Sequence, residues 1–348
     1  MVCVRLNLKF GVFMKSKAFG GPREGASSRG MRYKAGILLL PLVASLMAFA
    51  QTDPDAPIMR ANALEQQGQP ASALALLQPL IDSGALRGDE LGRAWTVLGV
   101  AYADQEDFRE AQHAYEQAIS ILQPMPENIR DYAAAVNNFA RLYGAEGQVQ
   151  VSTDLRLKAL LLYQQAGDQS GVVRTSTALA DLALQQGHTR ESQKYLKQTA
   201  EAMKVATELN GDDLAMIYST QALYATVHGD TSAAIAGYEH SLQILKGIHE
   251  VNNPSLAWGY LLLGIAYANA NRFEDALREM RLGLSTLDRT WGHKDSRYLR
   301  AEISYSQVLD RSGDHKPAAL LRAADEATLK DLLRTKCVGC TISADAFR

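Results

Sequence analysis

The sequence lacks the usual signatures of a catalytic centre. There is no G-x-S-x-G elbow, no S-x-x-K, no G-x-x-x-x-G-K-[ST] phosphate loop, no H-E-x-x-H and no G-x-G-x-x-G. These absences remove the common serine hydrolases, P-loop enzymes, zincins and dinucleotide enzymes, and no cofactor or catalytic residue is assigned. Cysteine is scarce, and only Cys337 and Cys340 lie beyond residue 50. None of the seven histidines pairs with another His or Cys at metal-ligand spacing, so no metal site is assigned either. They fall at turns (His188, His228, His315), in loops (His249, His293) or on second helices (His113, His240), and read as surface or turn residues.

Basic charge is also in short supply where it would matter. From Gln51 onward the chain carries 28 Lys/Arg against 37 Asp/Glu. An acidic chain does not present the basic face that phosphate contacts require, so nucleic acid is not expected as a partner. Long apolar runs are missing as well. The longest, Ile37 to Ala50, holds about 14 residues where a span needs roughly 20.

That run sits in a recognisable setting. Arg32 and Lys34 form a charged start, Ile37 to Met47 an apolar stretch, and Ala48-Phe49-Ala50 an A-x-A cleavage site. Residues 31–50 therefore read as a signal peptide cut between Ala50 and Gln51, which places the protein in the periplasm or outside the cell with no stable span. An uncleaved signal anchor tethering it to the membrane is the alternative. Residues 1–30 are basic and aperiodic, an extension that arises if Met31 is the true start.

What the sequence has in abundance is internal repetition. The clearest unit runs Trp95, Leu98, Gly99, Tyr102, then Phe108, Ala111, Tyr115, Ala118 and Pro124. A second runs Tyr260, Leu263, Gly264, Tyr267, Phe273, Ala276. Both resemble the tetratricopeptide repeat, a helical hairpin with the pattern W-x2-L-G-x2-Y, A-x3-F, P. Aligned on the turn, seven units emerge, at Gly68, Glu106, Gly147, Gly187, Gly229, Asn271 and Gly313. Five are Gly and one is Asn, residues that close a helix in the left-handed conformation at little steric cost.

Seven residues before each turn stand Ala61, Gly99, Ala140, Ala180, Ala222, Gly264 and Ser306; five after it stand Ala73, Ala111, Ser152, Ser192, Ala234, Ala276 and Ala318. All fourteen are small, as a close crossing of two helices requires. Turn spacings of 38 to 42, with Val136-Asn137-Asn138-Phe139-Ala140 and Gly292-His293, make the later repeats look like the 42-residue kinesin-light-chain type. Longer helices or inter-repeat loops follow.

The expected fold is an all-α, right-handed superhelical solenoid of about seven hairpins over residues 54–326, with residues 327–348 forming a capping helix and a tail. Gln51 to Pro57 reads as an extended lead-in. Arg156, Thr199, Arg322 and Asp325 stand where apolar or small residues are usual, which places their helices out of register or facing solvent.

The resemblance implies a protein-interaction scaffold whose concave face, lined by first helices, holds an extended peptide. By that resemblance the groove residues are Arg93, Asn137, Asn138, Arg141, Arg174, Asp181, Trp258 and Arg300, with Asn138 foremost. The full Lys/Asn set of a carboxylate clamp is missing. Two other readings stay open. Cys337 and Cys340 form either a structural disulfide or the site of a thiol-disulfide protein, and the chain acts alone or as a subunit of a larger envelope or sensory complex.

Overall fold

The computed structural model describes residues 55–336. The extension, the signal peptide with its Ala50/Gln51 cut, and Cys337 and Cys340 lie outside the described residues. Those described form fourteen α-helices paired into seven antiparallel hairpins and stacked as a right-handed superhelix, with no strand among them. The hairpins are α1 (Asp55–Gln66) with α2 (Pro70–Asp82), α3 (Gly88–Asp104) with α4 (Phe108–Leu122), and α5 (Ile129–Ala145) with α6 (Val149–Gln165). They continue as α7 (Gln169–Gln185) with α8 (Thr189–Met203), α9 (Gly211–Val227) with α10 (Thr231–Ile248), α11 (Pro254–Asn269) with α12 (Phe273–Trp291), and α13 (Ser296–Arg311) with α14 (His315–Lys336). No described helix is long and apolar enough to cross a membrane.

The turn chemistry read from the sequence is present in every hairpin. All seven turn residues have positive φ, from 59° at Asn271 to 106° at Gly313. In each, the N–H of the next residue donates to the carbonyl four positions before the turn residue, as in Gln148 to Tyr143 at 2.9 Å and Arg272 to Tyr267 at 2.9 Å. This six-residue closure satisfies carbonyls that the ending helix would leave without partners. Glu106 departs from the Gly/Asn rule, and left-handed backbone is unfavourable for a side chain of that kind.

The fourteen small residues are all buried. At Gly99 an added Cβ would lie 2.6 Å from the Tyr115 ring, and at Gly264 2.4 Å from Met280 Cγ. In the third hairpin Ser152 also donates to the Ala140 carbonyl at 2.7 Å, bonding the two small positions directly. Larger side chains then fill the space between hairpins. Leu98 and Tyr115 are fully buried, and Tyr115, Phe139 and Tyr143 stack in sequence with centroids 5.6 and 4.7 Å apart.

Several expectations change. Asp55 to Pro57 is not an extended lead-in but the first turn of α1, where proline lacks no needed donor. The stretch Ala327 to Leu333 continues α14 and is not an element of its own. The helices with unusual polar residues keep their places, because those residues find local solutions. Thr199 is buried in a hydroxyl cluster with Ser176 at 2.8 Å and Thr177 at 3.3 Å, and Asp325 is buried beside Glu302, which together with burial raises its pKa to about 7. Arg322 stays in α14 with its Nε donating to Ser306 at 3.4 Å, and Arg156 stays in α6 with its Nη1 donating to Asn137 at 3.3 Å.

The superhelix curves far enough for its second and seventh hairpins to meet. Arg297, at the start of α13, donates to the Asp104 carbonyl at 3.0 Å, and Ser296 hydrogen-bonds the Glu106 carboxylate. The Arg297 guanidinium lies 3.6 Å from the Trp291 ring centroid and pairs with Asp295 at 2.8 Å, which fixes its aim. Glu106 thus gains from its side chain a contact that glycine could not make.

Packing at the crossings yields a direct expectation. Leu98→Ala removes a fully buried side chain and should cost about 2–5 kcal/mol, and Gly99→Ala about 1–3 kcal/mol by overpacking Tyr115. Urea unfolding followed by circular dichroism measures both. A Gly99→Ala protein as stable as wild type would show that the crossing has slack.

Candidate concave binding site

Three positions on each first helix, those 13, 9 and 6 residues before the turn, share one face of that helix. Where hairpins stack, side chains in these registers from successive first helices come together in rows. The rows change character along the chain.

Through the first four hairpins they mix charged residues (Asp55, Arg93, Arg141, Arg174, Asp181) with Asn62, Asn138 and small or apolar residues such as Met59, Val97 and Ala178, and the arginines Arg93 and Arg174 are paired internally. Arg93 ties three hairpins together, pairing with Asp55, with Asp89 at 2.9 Å and with Asp131 at 3.3 Å. Arg174 plays the same part between α7 and α9, reaching Asp213 at 3.4 Å, whose carboxylate completes a capping box with Asn210. Both arginines thus tie successive first helices to one another.

Glu65, Asp104 and Arg141 form a second cluster with the Tyr115 hydroxyl. Burial alone would lower the Arg141 pKa, but Tyr115, Asp104 and Glu65 outweigh it and hold the guanidinium charged. Glu65 is only 7% exposed, and burial followed by the neighbouring Asp104 carboxyl pushes it up to about 8. Asp104 is raised too, by burial, against the pull of Arg141 and Arg297. At neutral pH a proton held on Glu65 gives this carboxyl pair the donor it needs.

Arg156 rises from α6 at the edge of this cluster, its Nη1 on Asn137 at 3.3 Å. Burial, opposed by Asp181 and assisted by Arg141, lowers it to about 10. Asn138 lies one residue further, half-buried, with no hydrogen bond to its amide among the described residues.

In the fifth and sixth hairpins the rows turn apolar and enclose a pocket of about 70 Å³. Its lining includes Asp181, Met216, Thr220, Leu223, Trp258 and Leu262, all at these three positions, together with Tyr238, Ser241 and Leu245 of α10. Asp212 also borders it, but is held by His249, whose buried side chain is not the surface histidine its loop position suggests. Arg300, in the last hairpin, lies across the closure from Glu106, which opposes the fall in its pKa caused by burial.

Comparison with known proteins fits this geometry. Models described as tetratricopeptide repeat match residues 92–121, and residues 56–79 and 257–281, which are the second, first and sixth hairpins. The chain is a tetratricopeptide-repeat protein. Among solved structures it is similar to a Rap protein complexed with competence and sporulation factor, at 13% identity and TM-score 0.60, covering 80% of this chain and 78% of that one. It is also similar to the Cut9-Hcn1 hetero-tetramer of the APC/C, at 16% identity and TM-score 0.56, covering 79% of this chain. It spans half of that protein's length. At these identities the likeness is one of fold. No curated protein matches the sequence.

Within this tetratricopeptide-repeat array the residues expected in the groove thus separate into groups. Asp181 and Trp258 meet in one pocket; Asn137 accepts from Arg156, and Arg141 joins Glu65, Asp104 and Tyr115; Arg93 and Arg174 are engaged by carboxylates; Arg300 sits near the closure. Sequence reasoning passed over Met216, Thr220, Leu223 and Leu262, and the paired carboxyls Glu65 and Asp104. The first four were legible, since they recur in the same registers as Arg174, Asn138 and Asp181, but three of them are apolar, and apolar residues on a helix read as core.

The raised carboxyls have a consequence for stability. A carboxyl whose folded pKa is raised binds its proton more tightly folded than unfolded, so its contribution is present at low pH and lost as pH climbs through the folded value. For Glu65 the window runs from its ordinary 4.5 to about 8. Glu65→Gln keeps the shape and a donor without the charge. Its thermal midpoint should exceed wild type by about 2–4 °C at pH 8, the gap closing toward pH 5. A gap independent of pH would mean that Glu65 is ionised throughout.

Proposed function

We propose that the protein is an exported scaffold that holds an extended peptide, or an extended segment of a protein partner, in its concave groove. The observation that carries the reading is the pocket of Asp181, Met216, Thr220, Leu223, Trp258 and Leu262, a largely apolar recess among the first helices of the fourth, fifth and sixth hairpins. A mostly apolar recess with a few polar groups at its edge is the usual form of a binding pocket. Asn138, with a side-chain donor and acceptor and no internal hydrogen bond among the described residues, supports the same reading, because an amide can hold the backbone of an extended strand. Export is supported by the charged start, apolar stretch and A-x-A motif of residues 31–50.

Two measurements test it. Amino-terminal sequencing of the protein from an envelope fraction should begin at Gln51. In a quantitative pull-down from envelope extract, partners captured by wild type should fall about tenfold with Asn138→Ala combined with Trp258→Ala, while circular dichroism stays that of the folded array. Recovery of the same partners in the same amounts would remove the groove assignment.

A further inference from the structure

The pocket walls specify more than an apolar occupant. Met216, Leu223, Trp258 and Leu262 supply an apolar body, but the charged groups at the rim are both acids, Asp181 and Asp212. Asp212 already has His249 on it. Asp181 does not have an equivalent. Its carboxylate accepts one hydrogen bond, from the Gln185 amide at 2.6 Å, and no Lys or Arg nitrogen lies within 4.0 Å of it among the described residues. The nearest guanidinium acting on it, Arg156, is directed to Asn137.

A wholly apolar side chain filling this pocket would strip water from the Asp181 carboxylate and give nothing back, which is costly for an ionised group. An acidic side chain would meet two carboxylates. A side chain with an apolar stem and a cationic end satisfies both parts of the wall, the stem on the indole and thioether, the charge on the carboxylate. Charge complementarity on the larger scale agrees, with 28 basic against 37 acidic residues from Gln51 onward.

We propose, building on the groove reading above, that this pocket seats a lysine or arginine side chain of an extended peptide, its methylenes against Trp258, Met216 and Leu262 and its charge on Asp181. Burial raises the Asp181 pKa to about 6 against the pull of Gln185 and Arg156, and a cation seated on this carboxylate would offset that cost of burial.

The test uses the folded, processed protein, immobilised, and a positional-scanning library of octapeptides acetylated at one end and amidated at the other, so that side chains carry the only charges. At one library position, lysine or arginine should be retained about tenfold over norleucine, which has the same stem without the charge. On Asp181→Asn, with a thermal midpoint matched to wild type, that preference should vanish, and on Trp258→Ala it should fall. Norleucine or leucine retained as well as lysine would overturn the cationic assignment while leaving the groove reading standing, and so would a preference for glutamate. A library flat at every position would overturn both.

Discussion

Everything in this structure depends on how closely two helices can cross. Each hairpin brings a first and second helix together at a pair of small residues, and every such residue is buried. Close crossing sets the angle of each hairpin, the angle sets how one hairpin lies on the next, and their repetition produces the curvature. The groove is therefore a remote product of alanine, glycine and serine at fourteen positions. Where serine replaces alanine, as at Ser152, its hydroxyl returns a hydrogen bond to the facing carbonyl, and the crossing survives the polar substitution.

This dependence explains what could be read in the sequence. Turn and crossing positions are governed by local sterics, so Gly147 or Ala140 declares its role within a few residues of chain. Six of the seven turns adopt the backbone that their residue types favour, and Glu106 adopts it against its own preference. The places where reading failed involve partners distant in sequence. Thr199 looks misplaced until Ser176 and Thr177 are seen around it, and Arg156 until Asn137 and Asp181 are. His249 reads as a loop residue, yet it is buried against Asp212, thirty-seven positions back. No local pattern announces these pairings.

The candidate site divides in the same way. Its registers follow from the repeat, so Asn138, Asp181 and Trp258 were accessible to sequence reasoning. The division of labour among them was not. Whether an inward-facing arginine meets a neighbour's carboxylate depends on the residue one hairpin away at a slightly different height, as Arg93 and Arg174 show with Asp131 and Asp213. Apolar groove residues posed the opposite difficulty, since Met216 and Leu262 have the composition of a core and the position of a binding surface. A paired charge and an exposed one have identical letters, and only the stacking of hairpins tells them apart.

The meeting of Asp104 and Glu106 with Ser296 and Arg297 changes the kind of object this array is. An open solenoid is a chain of nearest neighbours, in which a disturbance at one end decays before it reaches the other and terminal units fray first. Joining the second hairpin to the seventh adds a bond that skips the intervening four, so the curve becomes a loop with a clasp. Any widening of the groove between them must either open the clasp or be shared as small rotations among all the crossings it encloses. The interior thereby behaves less like a row of independent repeats and more like one elastic ring, whose diameter is a collective property of the small residues along its circumference.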